Sequence, residues 1–217
     1  MGDLLIPLFP LELVLFPDEI LPLHIFEERY KQMIGECLEK NKLAPPEGEF
    51  GVVCVQENRL QAVGCTARIS RVVRRYDDGR LDILTEGRRR FEIVLTDSAR
   101  SYLRATVSFF EDDEGALPGA AEVEQGRDLL RQIQSRLNIR TEQADLGRPF
   151  HRLSFQIAAT LPLGLQVKQE ILALRNEKDR LNLLVDVMEK LIPALDLREQ
   201  ARAKASGNGH RVNASKN

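Results

Sequence analysis

The chain has 217 residues, long enough to bury a core without disulfide or metal staples and of a size that suits a β part joined to a helical part. Its 31 Lys and Arg stand against 33 Asp and Glu, a net charge of −2, which excludes a global field that would draw nucleic acid or a membrane surface. Cys37, Cys54 and Cys65 have no C-x-x-C spacing and each falls in an apolar pattern, so they predict buried thiols in a reducing cytosol. The histidines at 24, 151 and 210 form no H-x-x-x-H pair, so neither a metal site nor a cofactor is expected.

The opening stretch, residues 6–34, holds four of the ten prolines, Pro7, Pro10, Pro17 and Pro22, set between apolar pairs and triplets. Proline has no N–H and a fixed φ, so the stretch predicts short extended pieces along a sheet edge rather than a helix or a central strand. Pro17-Asp18 reads as a tight turn. The period then changes. Phe26, Tyr30, Met33, Ile34, Cys37 and Leu38 share one face of an amphipathic helix. No signal peptide is expected, because the first basic residue is Arg29 and acids interrupt the apolar runs. The longest uncharged run there, Leu4 to Leu11, is far short of the ~20 residues a bilayer needs. Gly2 does not complete a myristoylation motif, since position 6 is Ile.

A Pro- and Gly-containing loop at 41–49 precedes Phe50 to Val55, whose continuous apolar run predicts a strand covered on both faces. Val63 to Tyr76, the turn Asp77-Asp78-Gly79 and Arg80 to Thr85 predict a hairpin. Arg89 to Thr96 and Tyr102 to Phe110 follow as strands. Successive short strands with tight turns point to an antiparallel barrel or sandwich over residues 1–110. Residues 111–124 carry six acids and no Lys or Arg, which marks an acidic linker.

Helical period governs residues 125–197. Val123, Leu130, Ile133 and Leu137 share one face, and Phe150, Leu153, Ile157, Ala158 and Leu161 share another, bounded by Pro149 and Pro162. Val167, Ile171 and Leu174 make a third. Asn176 with Asp179 caps a last helix striped by Leu181, Leu184, Val185, Met188 and Ile192 and broken at Pro193. Residues 198–217, with five Lys or Arg and one acid, read as a disordered tail.

PLFPLELVLFP and LPLHIFEERYKQMI in the opening stretch, VGCTARI at 63–69, GRRRFEIV at 87–94 and SFQIAATLPLGLQVKQEILAL at 154–174 resemble the amino-terminal, substrate-binding domain of Lon proteases. The motifs occur in that family's order and span residues 4 to 195. The resemblance implies an α+β fold: a PUA-like antiparallel β-barrel or pseudobarrel with one inserted helix, followed by a carboxy-terminal helical subdomain. It implies a free-standing, non-catalytic copy of that domain. The 217 residues hold no Gly-Lys pair for a P-loop and no G-x-S-x-G elbow.

Three surfaces could carry function. His24, Glu27 and Glu28 stand close in sequence, but a strand histidine and two acids at a helix start read as packing and dipole roles. Phe9, Leu13, Phe16, Leu21 and Leu23 form the candidate substrate surface, where proline-interrupted edge backbone could accept unfolded protein segments. The alternative is RNA or another anionic partner on Arg71, Arg74, Arg75, Arg88 and Arg89, within a run of eight arginines against four acids over 68–90. Only Tyr76 and, at the edge, Phe91 could stack bases there, so the protein-binding reading leads. The chain is expected to work in the cytoplasm as a recognition module, including as an adaptor in proteolysis.

Overall fold

The computed structural model describes residues 3–41, 47–113, 115, 117–139 and 152–207, with side chains to residue 202. Six strands form one sheet: β1 Leu4–Leu11, β2 Ile20–Ile25, β3 Glu49–Gln56, β4 Arg59–Arg75, β5 Leu81–Asp97 and β6 Arg104–Phe109. The described helices are α1 Glu28–Lys40, α2 Ala120–Leu137, α3 Leu153–Thr160, α4 Leu165–Ala173 and α5 Glu177–Gly207. Strand order is β2-β5-β4-β3-β1-β6, and β6 also pairs with β5.

The sheet is mixed rather than antiparallel throughout. Leu4–Pro7 of β1 run antiparallel to β6, while Leu8–Leu11 run parallel to β3. The proline-rich strand therefore lies between two neighbours instead of at an edge. Each half of β1 keeps one side free of a ladder partner, and such a strand accommodates a residue without an N–H. The true edge is β2, which among the described residues pairs only with β5, from Ile20 opposite Glu86 to Ile25 opposite Leu81.

Local chemistry sets the turns. At Pro17-Asp18 the Glu19 N–H donates to the Phe16 carbonyl at 3.2 Å, and Asp18 takes φ 65°. Aspartate tolerates that left-handed region, and proline presets the residue before it. At the hairpin tip Gly79 adopts φ 83°, and the Tyr76 N–H donates to the Arg80 carbonyl at 3.0 Å. Glu57 and Asn58, with φ 51° and 59°, close the β3–β4 hairpin without a glycine.

The strands expected at Arg80 to Thr85 and Arg89 to Thr96 are one 17-residue strand, β5, whose ladders carry register shifts. Pro193 does not stop the last helix. It lies inside α5, which continues to Gly207 where a structureless tail is expected. The turn after Pro193 is held by Leu195, packed against the core, and by Arg136 Nε on Asp196 Oδ1 at 2.7 Å. Those contacts act against the ~3 kcal/mol cost of an interior proline. Asn176 caps α5, its Oδ1 accepting from the N–H of Lys178 at 2.9 Å and of Asp179 at 3.3 Å. Phe150, Pro149 and residues 208–217 lie outside the described residues.

Two apolar clusters hold the fold. The smaller joins Ile6, Leu8, Val53, Phe91, Ala105 and Val107 across β1, β3, β5 and β6. A side chain at Gly64 would meet the Phe91 ring at 2.5 Å, so glycine makes room for that ring. The larger runs without interruption from Phe9, Phe16 and Phe50 through α1 to Ile133, Phe155, Ile171, Leu184 and Met188. Sheet and helices thus share one core. The three cysteines are free and buried, and burial pushes the Cys37 thiol up to about 12.

Candidate functional site

Of the five apolar residues expected at a recognition surface, Phe9 and Phe16 belong to the core, with exposures of 6% and 0%. Phe9 packs on Tyr30 of α1 at 4.2 Å, and Phe16 stacks on Phe155 of α3 at 5.6 Å. The helices need apolar partners: Phe9 is supplied by β1, and Phe16 by the loop that leads into the Pro17-Asp18 turn. Leu13, Leu21 and Leu23 are half-buried against the same cluster. The amino-terminal rim is therefore covered in part by the chain's own helices.

Accessible apolar surface lies instead on the other face of β2. Alternation puts Leu21, Leu23 and Ile25 on the inner face, and Pro22 and His24 on the outer one. Phe26 follows in the same sense and is 59% exposed. It was expected on the α1 stripe, but the helix begins two residues later, at Glu28. Around it stands a set of rings: Phe26 against His24 at 5.9 Å, and Tyr76 edge-on to His24 at 6.0 Å. Asp82 joins them, its Oδ1 2.6 Å from His24 Nδ1 and its Oδ2 accepting from the Tyr76 hydroxyl at 2.8 Å. The hydrogen bonds of His24 and then Tyr76 hold the Asp82 carboxyl below the usual range. His24 thus pairs with the sheet, not with Glu27, which takes Arg29 at 2.7 Å.

The arginine run divides in two. Arg71, Arg74 and Arg75 are exposed at the far end of β4 and form no ion pair among the described residues. Arg74 and Arg80 lie over the Tyr76 ring at 4.5 and 4.8 Å. At the other end, Arg88 pairs with Glu86 at 3.2 Å, and Arg89 pairs with Glu49 at 3.3 Å while covering the Phe109 ring at 3.9 Å. Arg88 and Arg89 are thus already engaged by carboxylates and do not extend the exposed patch.

Those two arginines line a cleft of about 470 Å³ between the Pro17-Asp18 turn, β5, Glu111-Asp112 and α3. Its walls carry Arg88, Arg89, Arg90 and Arg152 against Asp18, Glu49, Glu111 and Asp112, a balanced set unsuited to a polyanion. Behind it is a buried clamp that sequence reasoning missed. Arg180 has a fully buried side chain. Its fork donates to both Asp112 oxygens at 2.6 Å, to Glu177 at 2.8 Å, to Ser154 Oγ at 2.9 Å and to the Leu174 carbonyl at 2.8 Å. All five guanidinium N–H groups therefore have acceptors. Arg90 adds bonds to Asp112 at 2.5 Å and to the carbonyls of Leu172 and Leu174.

Burial works to raise the Asp112 carboxyl, but the hydrogen bonds and charge of Arg180, and then Arg90, leave it below its ordinary value. On Arg180, burial is likewise outweighed by Asp112 and Glu177, and the guanidinium is held above its usual range. Every group in the clamp is consumed by another, which makes it a joint between sheet and helices. None of its members is left over to attack or protonate a ligand. Among the described residues no cluster of His, Cys, Asp and Glu could hold a metal ion, and no helix is long and apolar enough to cross a membrane.

Comparison with known proteins places this geometry. The fold is similar to the Lon N-terminal domain protein from Xanthomonas campestris, with TM-score 0.64, 24% identity, and 84% of this chain and 98% of that one covered. It is also similar to the N-terminal domain of the Mycobacterium avium complex Lon protease, with TM-score 0.59, 16% identity and coverages of 85% and 98%. In sequence the chain is 27% identical over 210 residues to the Lon protease of Buchnera aphidicola, spanning 91% of this chain and 26% of that protein. It is 26% identical over 212 residues to Lon protease 1 of Bacillus subtilis, spanning 93% and 27%. The chain thus covers about a quarter of the curated relatives it matches, within their non-catalytic substrate-binding part and apart from the ATPase and protease domains. Nothing in these matches supports the nucleic-acid reading. Residues 5–190 match the model of the ATP-dependent protease La (LON) substrate-binding domain, and the chain belongs to that family.

Proposed function

We propose that this protein is a recognition module that binds exposed apolar segments of unfolded polypeptides, acting in the cytoplasm as an adaptor for proteolysis. Family membership supports a substrate-recognition role. The observation that carries the reading further is Phe26, a 59% exposed ring immediately after an edge strand that has no second neighbour among the described residues. An extended segment can lie along such an edge, its side chains meeting Phe26 and Pro22 while Leu13, Leu21 and Leu23 back the strand from within. The ladder in which β6 meets both β1 and β5 supports the PUA-like pseudobarrel as the scaffold.

The test is fluorescence anisotropy with a labelled, reduced and alkylated protein that stays unfolded. The intact chain should bind it. Phe26→Ser should weaken binding by about tenfold, equivalent to about 1.4 kcal/mol, at an unchanged melting temperature. Equal affinity in the variant would remove Phe26 from the site.

A further inference from the structure

Resting on that reading, we infer that the outer face beside β2 selects extended segments in which acidic side chains are interspersed among apolar ones. The pairing register sets the chemistry of this face. Arg71 lies opposite Leu84, which lies opposite Pro22; Arg74 lies opposite Asp82, which lies opposite His24. Arg71 and Arg74 therefore stand one strand away from the outward residues of β2 and in register with them, with the Arg74 guanidinium over Tyr76, whose ring meets His24. Val73 stands between them, 53% exposed, and Phe26 is 59% exposed at the end of β2.

Neither arginine is closed by a salt bridge: Arg71 forms no ion pair among the described residues, and Arg74 lies over the Tyr76 ring, attracted by Asp82, whose oxygens are taken by His24 and Tyr76. Arg88 and Arg89, by contrast, are each closed by a glutamate. A purely apolar segment would leave Arg71 and Arg74 unused, and a purely acidic one would leave Phe26 and Val73 in water. A chain that alternates the two kinds of side chain satisfies both, and an extended ligand turns alternate residues toward one face. Nucleic acid would meet the guanidinium groups but also Asp82 and the acidic tip at Asp77 and Asp78, which disfavour a phosphate backbone.

Two labelled peptides of equal length decide it, with identical apolar residues and either glutamate or glutamine at the interspersed positions. The glutamate peptide should bind roughly five- to tenfold tighter at low salt, as suits two exposed charge contacts. Arg71→Gln with Arg74→Gln should erase that difference and leave the glutamine peptide's affinity unchanged. Salt at ~0.5 M should erase it too, by screening. Equal binding of both peptides by the intact chain would overturn the charge selection while leaving the recognition role in place. Binding of neither would overturn the recognition role itself. A single-stranded RNA oligonucleotide that displaces the glutamate peptide, and loses this power in the double variant, would make nucleic acid the ligand and overturn the inference.

Discussion

Replacing Gly87 with alanine should destabilise the protein by about 3 kcal/mol or more, read as a lowered midpoint of urea unfolding. The Pro17-Asp18 turn is laid directly on this residue. The Asp18 N–H donates to the Gly87 carbonyl at 2.9 Å, and the Gly87 N–H donates to the Glu19 carbonyl at 2.8 Å. A β-carbon at position 87 would stand 2.0 Å from the Phe16 carbonyl oxygen, so one of the two backbones must move. Movement of the turn breaks both bonds and draws Phe16 off Phe155, opening the seam between sheet and helices. Gly35 offers the matching control. It sits inside α1, and a β-carbon there meets nothing within 4 Å. Gly35→Ala should stabilise the protein by ~0.5–1 kcal/mol through helix propensity alone.

Asp112→Ala should be comparably severe, costing about 3–5 kcal/mol, because it strands Arg90 and Arg180 in the interior without their shared counter-charge. The same carboxylate gives the protein an acid-sensitive limb. Its folded-state pKa lies below the unfolded value. Its contribution is therefore complete above ~4, the ordinary aspartate value, and is lost as pH falls through the lower folded-state value. Unfolding free energies measured from pH 6 downward should fall as pH drops below ~4 in the intact protein. Asp112→Asn should start from a lower plateau and show a shallower acid limb. An Asp112→Asn protein with unchanged stability and an unchanged acid limb would show that the clamp contributes nothing to the joint.

These two sites also mark the limits of what the sequence reveals. Local signals were readable: the Asp77-Asp78-Gly79 turn, the Pro17-Asp18 turn, the Asn176 cap and the buried stripe of Leu181, Leu184 and Met188 are all present. Gly87 reads as punctuation between two strands, whereas it is an interior point of one strand kept small for a turn about 70 positions earlier in the chain. Arg180 reads as a solvated position of a striped helix, because its partner Asp112 is 68 residues away. The parallel pairing of β1 with β3 depends in the same way on a register that no local pattern encodes.

The candidate site was legible only in part. Alternation in Leu21-Pro22-Leu23-His24-Ile25 predicts a strand with two faces, but not which of them the helices cover. The spacing of Phe26 to Tyr30 fits a helical stripe as well as it fits a strand end, and only the helix start at Glu28 separates the two. Arg71, Arg74, Arg75, Arg88 and Arg89 look alike in a charge count. They differ in side-chain partners: Arg88 and Arg89 close on Glu86 and Glu49, whereas Arg71, Arg74 and Arg75 form no ion pair among the described residues.

Amide hydrogen exchange of the whole chain, with and without a saturating unfolded polypeptide, tests the recognition face most directly. Slowed exchange should appear in residues 20–26 and 71–76, on the outer face beside β2, with the Asp112–Arg180 joint unchanged. Protection confined to the cleft at Arg88–Arg90 and α3, with β2 exchanging as freely as before, would contradict it.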